Sequence, residues 1–181
     1  MAMAFMSGVL AVIHPAQYDM AYEIKQNMME DGICTNELEQ WASVYTAATI
    51  ISNRETPFHR DLGSRVEWYD LLTSFGPYTR APLFMDPIGI RVNNPPGTVC
   101  AFSGMALSHS VRRILTSRIS MALYLRENMR EGADVDPAFW MNQMQFEAFM
   151  GGDRGDVQKM GRSVSRETME ELVKSFAKVD V

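Results

Sequence analysis

Residues 118–126 read RISMALYLR, and bulky apolar residues recur at every second position along them. The apolar set is Ile119, Met121, Leu123 and Leu125, and the alternate positions hold Arg118, Ser120, Ala122, Tyr124 and Arg126. A period of two is typical of a β-strand with one buried face. The stretch therefore predicts a strand that presents one face to a core and the other to a ligand.

Other β-rich runs lie upstream of this strand, separated by turn residues. They read VYTAATIIS (44–52), WYDLLTSF (68–75), IGIRV (88–92) and TVCAFSG (98–104). Short strands at a spacing of roughly 8–12 residues favour an antiparallel sandwich or barrel over a βαβ fold. We therefore expect the α+β class, with a core that is mainly β.

Helical signals flank this β core. After Pro15, apolar residues recur at three- and four-residue spacing, and Asp31-Gly32 supplies a stop; the set is Met20, Ala21, Ile24 and Met28. A short second helix is expected over 35–41. Further helices are expected over 139–150, opened by Pro137, and from Ser165, with residues 151–156 as a connection. We expect one domain, with helical support over 1–43, the β core over 44–128 and a helical segment over 129–181.

Composition excludes several classes of protein. The 181 residues are 46% apolar and carry 17 Lys+Arg against 22 Asp+Glu, a net charge of −5 that argues against gripping nucleic acid by bulk charge. Cys34 and Cys100 form no CxxC motif, so a disulfide framework and a cysteine zinc cluster are not expected. No apolar run approaches the roughly 20 residues of a membrane helix. These features predict an intracellular protein that is neither secreted nor membrane-spanning.

The triplet His59-Arg60-Asp61 ends a β-rich run, and His109 follows the strand TVCAFSG. On an extended backbone His59 and Asp61 project to the same face. Two histidines and one carboxylate are the ligands of the facial triad that holds non-haem Fe(II). A lone HxD pair also recurs by chance. The sequence HRDL opens the kinase catalytic loop as well, but Val66 replaces its asparagine and the other kinase motifs are missing, which excludes a kinase.

Arg118 lies nine residues after His109, and Ser120 follows on the same strand face. A guanidinium fork and a hydroxyl together suit the far carboxylate of a dicarboxylic acid. The alternative for an arginine on a half-exposed strand is a surface salt bridge.

In this order, His59-x-Asp61, His109 and Arg118-x-Ser120 resemble the 2-oxoglutarate- and Fe(II)-dependent dioxygenases. Four segments resemble, more narrowly, the TET/JBP-like dioxygenases abundant in basidiomycete fungi. They are ISNRETPFHRD, WYDLLTSFGPY, NPPGTVCAFSGMALSHSV and RISMALYLREN. The resemblance covers residues 41–128. It implies a double-stranded β-helix (jelly-roll) barrel, with N-terminal and C-terminal supporting helices and iron at its mouth.

The resemblance also implies the chemistry. Fe(II), 2-oxoglutarate and O2 would together oxidise the methyl group of 5-methylcytosine, or of thymine, in DNA, with the base flipped into the pocket. It assigns His59, Asp61 and His109 to the metal, and Arg118, Ser120 and Arg54 to 2-oxoglutarate. Such a substrate would place the protein in the nucleus.

Substrate contacts are assigned by position. Asn53 is either a hydrogen-bond donor in the pocket or a turn residue at a strand end. Tyr69 and Arg126 either line the pocket or serve the fold. For contact with DNA phosphates the candidates are Arg112 and Arg113, with Arg80 and Arg91 as company; the alternative for each is a solvated surface charge.

Two further function classes stay open. The acidic balance favours the same oxygenase chemistry on RNA, protein or a small molecule. The short chain favours a non-catalytic barrel that binds other proteins, or an enzyme whose protein partner holds the DNA. The oligomeric state is left open by the sequence.

Overall fold

A computed structural model describes residues 1–151, so the helix expected from Ser165 and the connection over 152–156 lie outside the described residues. The helices are α1 (Ala2–Ile13), α2 (Pro15–Glu30), α3 (Thr35–Gln40), α4 (Glu127–Gly132) and α5 (Gln143–Met150). The strands are β1 (Ala47–Ser52), β2 (Thr56–His59), β3 (Asp70–Phe75), β4 (Pro82–Met85), β5 (Ile90–Asn93), β6 (Val99–Phe102), β7 (His109–Val111) and β8 (Ile119–Tyr124).

The strands form two four-stranded sheets in which every pair is antiparallel. The first sheet has the order β1-β8-β3-β6, and the second has the order β2-β7-β4-β5. Apart from the consecutive pair β4 and β5, neighbouring strands are distant in sequence, and the chain alternates between the sheets as a jelly roll does. The expected α+β class with a jelly-roll core is confirmed.

The outer face of the first sheet is covered by the N-terminal helices. The predicted apolar face of α2, namely Met20, Ala21, Ile24 and Met28, is buried in one cluster with Leu10, Trp68, Leu71, Leu123 and Leu125. Pro15 opens α2 as expected, and the N-cap His14 accepts a hydrogen bond from the Gln17 amide at 3.3 Å. The Gln17 side chain in turn bonds both backbone groups of Tyr69, which ties α2 to the start of β3.

The β8 strand has the predicted alternation with one exception. Met121, Leu123 and Leu125 are buried, whereas Ile119 is 49% exposed. Ile119 is the first residue of β8 and pairs with Ser52 and Phe75 at the ends of their strands, where the helices no longer cover the sheet. The apolar face of this strand is thus shorter than the sequence predicted.

The helix predicted over 139–150 begins later, at Gln143. Asn142 and Gln145 form a reciprocal capping box: the Gln145 amide donates to Asn142 Oδ1 at 3.0 Å, and the Asn142 amide donates to Gln145 Oε1 at 2.9 Å. Upstream of this cap the chain follows the core, and the Trp68 indole donates to the Ala138 carbonyl at 3.1 Å. Within residues 1–151 no helix is long and apolar enough to cross a membrane.

Candidate metal centre

The two histidines of the predicted triad meet because their strands pair. His59 ends β2, His109 begins β7, and the two are register partners with ring centroids 4.3 Å apart. Asp61 lies just beyond β2, with Oδ1 3.4 Å from His59 Nε2 and Oδ2 3.6 Å from His109 Nε2. One ligand atom from each residue falls within 4.8 Å of the others. The arrangement can hold a single metal ion with two nitrogens and one carboxylate oxygen, and with further positions open.

Both imidazoles are oriented by backbone carbonyls. His59 Nδ1 lies 2.9 Å from the Pro57 carbonyl, and His109 Nδ1 lies 3.0 Å from the Leu107 carbonyl. A carbonyl oxygen only accepts, so each Nδ1 carries the proton and each Nε2 directs its lone pair towards Asp61. Burial lowers the pKa of His109, which keeps this imidazole neutral and able to ligate a metal.

A second carboxyl group stands behind Asp61. The Asp61 amide donates to the Gly104 carbonyl at 2.9 Å, and the Gly104 amide donates to Asp70 Oδ2 at 3.1 Å. Asp70 is 1% exposed. Burial, and then the charge on Asp61, raises the pKa of Asp70 to about 7.

A cavity of about 430 Å³ connects the triad to the inner face of β8. Its lining includes the whole ligand-facing set of that strand, Arg118, Ser120, Ala122, Tyr124 and Arg126, together with Arg54 from the segment after β1. The cavity therefore joins the candidate metal ligands to the predicted carboxylate site. It falls within the range of roughly 300–1,000 Å³ that is usual for small-molecule sites.

Arg118 is a buried residue in the wall of this cavity. It is 4% exposed, and its Nη2 donates to the Arg54 carbonyl at 2.8 Å. Burial lowers the pKa of Arg118, yet a guanidinium keeps its proton at neutral pH. Among residues 1–151 no carboxylate forms an ion pair with it. A buried cation without a counter-ion is costly, so the site calls for an anionic ligand.

Comparison with known families agrees with this pair of sites. A family model for the Tet/JBP group, described as the oxygenase domain of the 2OGFeDO superfamily, matches residues 1–127. The chain belongs to this Tet/JBP oxygenase family. The superfamily implies Fe(II) and 2-oxoglutarate, so the protein carries a dioxygenase domain, and His59, Asp61 and His109 offer it a metal site.

Two solved structures are similar to parts of the chain. NgTET1 in complex with 5mC DNA is 18% identical, with a TM-score of 0.44, over 59% of this chain and 49% of that chain. An RmlC-like cupin from Desulfovibrio desulfuricans is 16% identical, with a TM-score of 0.32, over 42% of this chain and 71% of that chain. The match thus spans about half of the NgTET1 chain. No curated protein matches the sequence.

In this Tet/JBP domain Arg126 lies on the cavity wall beside the metal residues. Its guanidinium carbon is 4.5 Å from the centre of the Tyr124 ring, and its Nη1 donates to the Leu62 carbonyl at 2.6 Å. The Tyr124 hydroxyl is 2.9 Å from Thr49 Oγ1. The Arg126 guanidinium group is therefore held over the Tyr124 ring on the cavity wall.

Asn53 and Tyr69, each left open between the pocket and the fold, are not among the residues that line the cavity of the Tet/JBP domain. Asn53 takes the strand-end alternative: its φ is 53°, and its Oδ1 accepts from the Arg118 amide at 2.7 Å. Tyr69 lines a separate cavity of about 390 Å³ and packs edge-on against His14 at 5.4 Å. The alternation along β3 turns Tyr69 towards the helices, away from the second sheet.

The predicted phosphate-contact residues also lie outside the cavity. Arg112 and Arg113 are exposed after β7, and Arg80 and Arg91 are exposed too. Arg112 and Arg91 each place a guanidinium carbon 4.8 Å from the centre of the Phe84 ring. Phe84 pairs with Arg91 and Ser110, whereas its neighbour Leu83 lines the cavity, so this group occupies the outer face of the second sheet.

Asp70 and Gly104 were not singled out from the sequence. The signal for Asp70 was an acidic residue inside the apolar run WYDLLTSF, at a position that period two assigns to one face of a strand. Gly104 read as an ordinary turn glycine. Its role depends on a close approach between two segments distant in sequence, which local patterns do not encode.

Proposed function

We propose that this dioxygenase oxidises the methyl group of 5-methylcytosine in DNA. The observation that carries the proposal is one cavity whose lining contains both a metal triad and an uncompensated buried guanidinium. Such a pair suits a dicarboxylate that binds the metal and reaches back to a cation. A substrate methyl group would enter beside the metal.

Each residue of the cavity has a role in this proposal. His59, Asp61 and His109 would hold Fe(II), which with 2-oxoglutarate supplies the oxidation of a C–H bond by O2. Arg118 and Ser120 would bind the far carboxylate of 2-oxoglutarate. Arg54 lines the same cavity and would add positive charge near the second carboxylate of 2-oxoglutarate, the one that Arg118 and Ser120 do not bind. Burial of Arg118 limits its contact with water and strengthens its pairing with an anion.

The size of the cavity supports a flipped base as the substrate. A space of about 430 Å³ can admit a small cofactor and one base, but not a duplex. An enzyme that reaches a base atom in a duplex must extrude that nucleotide. Arg126, which lies over the Tyr124 ring, offers a planar guanidinium group on which an unstacked base can rest.

The outer face of the second sheet supports contact with DNA phosphates. Among residues 1–151 neither Arg91 nor Arg112 forms an ion pair with a carboxylate. Phe84 holds both guanidinium groups by stacking, which reduces the entropy lost when they bind an anion. The net charge of −5 leaves DNA binding to such local contacts, so a protein partner would help to hold the duplex. This substrate would place the protein in the nucleus.

The test is succinate release from 2-oxoglutarate with added Fe(II), on a methylated duplex and on the same duplex without methyl groups. Stimulation by the methylated duplex alone is the expected result, with hydroxymethylcytosine as the product. The Arg118→Gln variant should raise the KM for 2-oxoglutarate by at least about tenfold, because it loses a charge-assisted hydrogen bond. Equal release with both duplexes would overturn the DNA substrate and favour RNA, protein or a small molecule.

A further inference from the structure

Asp70 and Gly104 form a cluster directly behind the metal triad. Gly104 uses both of its backbone polar groups: its amide donates to Asp70, and its carbonyl accepts from the Asp61 amide. Two hydrogen bonds therefore connect the Asp70 carboxyl group to the backbone of Asp61. Asp61 Oδ2, the oxygen that faces His109, also lies close to Gly104.

The space around Gly104 leaves no room for a side chain. A Cβ atom at this position would overlap Oδ2 of Asp61 and Oδ2 of Asp70, and it would lie 3.1 Å from Asp61 Cβ. Gly104 is not among the glycines with positive φ, so its backbone conformation suits any residue. The two carboxyl groups thus approach each other across a glycine that leaves room for them.

An apolar side chain would stabilise this buried position better than Asp70 does. It is 1% exposed, and its Oδ1 has no hydrogen-bond partner within residues 1–151. Burying a carboxyl group with a single backbone hydrogen bond costs free energy relative to an apolar side chain. That cost is understandable if the group orients a functional neighbour, since outer hydrogen bonds fix ligand geometry in metal sites.

We propose that Asp70 is a positioning residue for the metal ligand Asp61, and that it acts through the backbone of Gly104. Asp70 fixes the turn at Ser103-Gly104, and the turn fixes the backbone of Asp61 so that its carboxylate faces both histidines. This inference rests on the metal triad of the proposed function, but not on its DNA substrate.

The test measures Co²⁺ binding to the metal-free full chain, without 2-oxoglutarate or DNA. Asp70→Ala removes the acceptor for the Gly104 amide and should weaken Co²⁺ affinity about 10- to 100-fold, as loss of outer-shell partners typically does. Asp70→Asn keeps an acceptor oxygen and should restore affinity to within about threefold of wild type. The visible absorption of bound Co²⁺ reports the ligand geometry, which should change in Asp70→Ala and return in Asp70→Asn.

Gly104→Ala supplies an independent arm of the test. The added methyl group should displace Asp61 and lower Co²⁺ affinity by a similar factor, whereas Gly8→Ala, which meets no atom within 4 Å, should leave it unchanged. Circular dichroism and thermal unfolding confirm that each variant is folded. If Asp70→Ala is folded and binds Co²⁺ as wild type does, or if Asp70→Asn binds as weakly as Asp70→Ala, the positioning role is wrong. If the wild type binds no Co²⁺, the metal triad itself fails.

Discussion

The two faces of the first sheet differ in how they are filled. On the helix side, Trp68, Leu71 and Leu123 are all 0% exposed in a large continuous cluster. On the side facing the second sheet, the buried apolar cluster comprises only Leu83, Met85 and Phe102 among the described residues, and the cavity takes up the neighbouring space. The stability of the fold therefore resides mainly in one layer, and the candidate chemistry in the other.

A ligand substitution in the cavity layer should have the largest effect on activity and little effect on folding. His59→Ala removes one of three metal ligands, and we expect turnover to fall below detection. The His59 side chain is 36% exposed, so the free energy of unfolding of the metal-free protein should change by less than about 1 kcal/mol. Succinate release and denaturant unfolding measure the two quantities. Phe58→Ala, at the neighbouring exposed position, is the control; full activity in His59→Ala would refute the metal assignment.

A truncation in the packed layer should do the reverse. Leu123→Ala removes a fully buried side chain from the helix-side cluster, and we expect the free energy of unfolding to fall by about 3 kcal/mol. Denaturant unfolding tests this value. Ile119→Ala, on the same strand but 49% exposed, should cost less than about 1 kcal/mol. Equal losses in the two variants would contradict the difference between the layers.

The packed layer also carries a pH dependence through His14. Burial lowers the pKa of His14 from 6.5 to about 4, so the unfolded chain binds a proton between these values and the folded chain does not. The free energy of unfolding is therefore unaffected by His14 above pH 6.5 and decreases as the pH falls towards 4. From pH 7 to pH 5 the loss should be about 2 kcal/mol. His14→Asn keeps an acceptor at the helix cap but does not titrate in this range. Its loss of unfolding free energy between pH 7 and pH 5 should therefore be smaller than that of the wild type by about 2 kcal/mol. Identical pH profiles in the two proteins would exclude this role of His14.

The smallest effect is expected on the outer face of the second sheet. Arg112→Ala should weaken binding of a methylated duplex, and the slope of log K against log salt should fall by about one. Fluorescence anisotropy over a salt series measures both. Lys25→Gln, on the opposite side of the first sheet, is the matched control. An unchanged slope in Arg112→Ala would remove this residue from the DNA contact.

Much of this architecture could be predicted because it depends on local periodicity. The alternation of β8 and the helical spacing after Pro15 each follow from one buried face. Two strands were not predicted: β4 begins at Pro82, and a proline indicates a turn, whereas β7 has only three residues, which are too few to display a period. The start of α5 was misplaced because the Asn142–Gln145 box, rather than Pro137, opens it.

The candidate site was predictable only in part, for a related reason. Sequence spacing could bring His59 near Asp61, and the cavity set of β8 could be read from one alternating strand. Tyr69 was left open between the pocket and the fold, because the sequence does not show that Gln17 of α2 bonds its backbone on the helix side of the sheet. The connection of Asp61 to Asp70 through Gly104 depends on tertiary pairing that no local pattern records.

The pairing of His59 with His109 links metal binding to the integrity of an edge strand. β2 ends the order of the second sheet and pairs only with β7 among the described strands, with an irregular register between Thr56 and His59. A metal held by both histidines would cross-link these two strands, so its binding free energy would oppose their separation. Loss of the metal would then allow β2 to separate from β7, and the unpaired amide and carbonyl groups of β7 would invite association with other chains. Iron depletion would consequently increase amide exchange and self-association as well as abolish turnover.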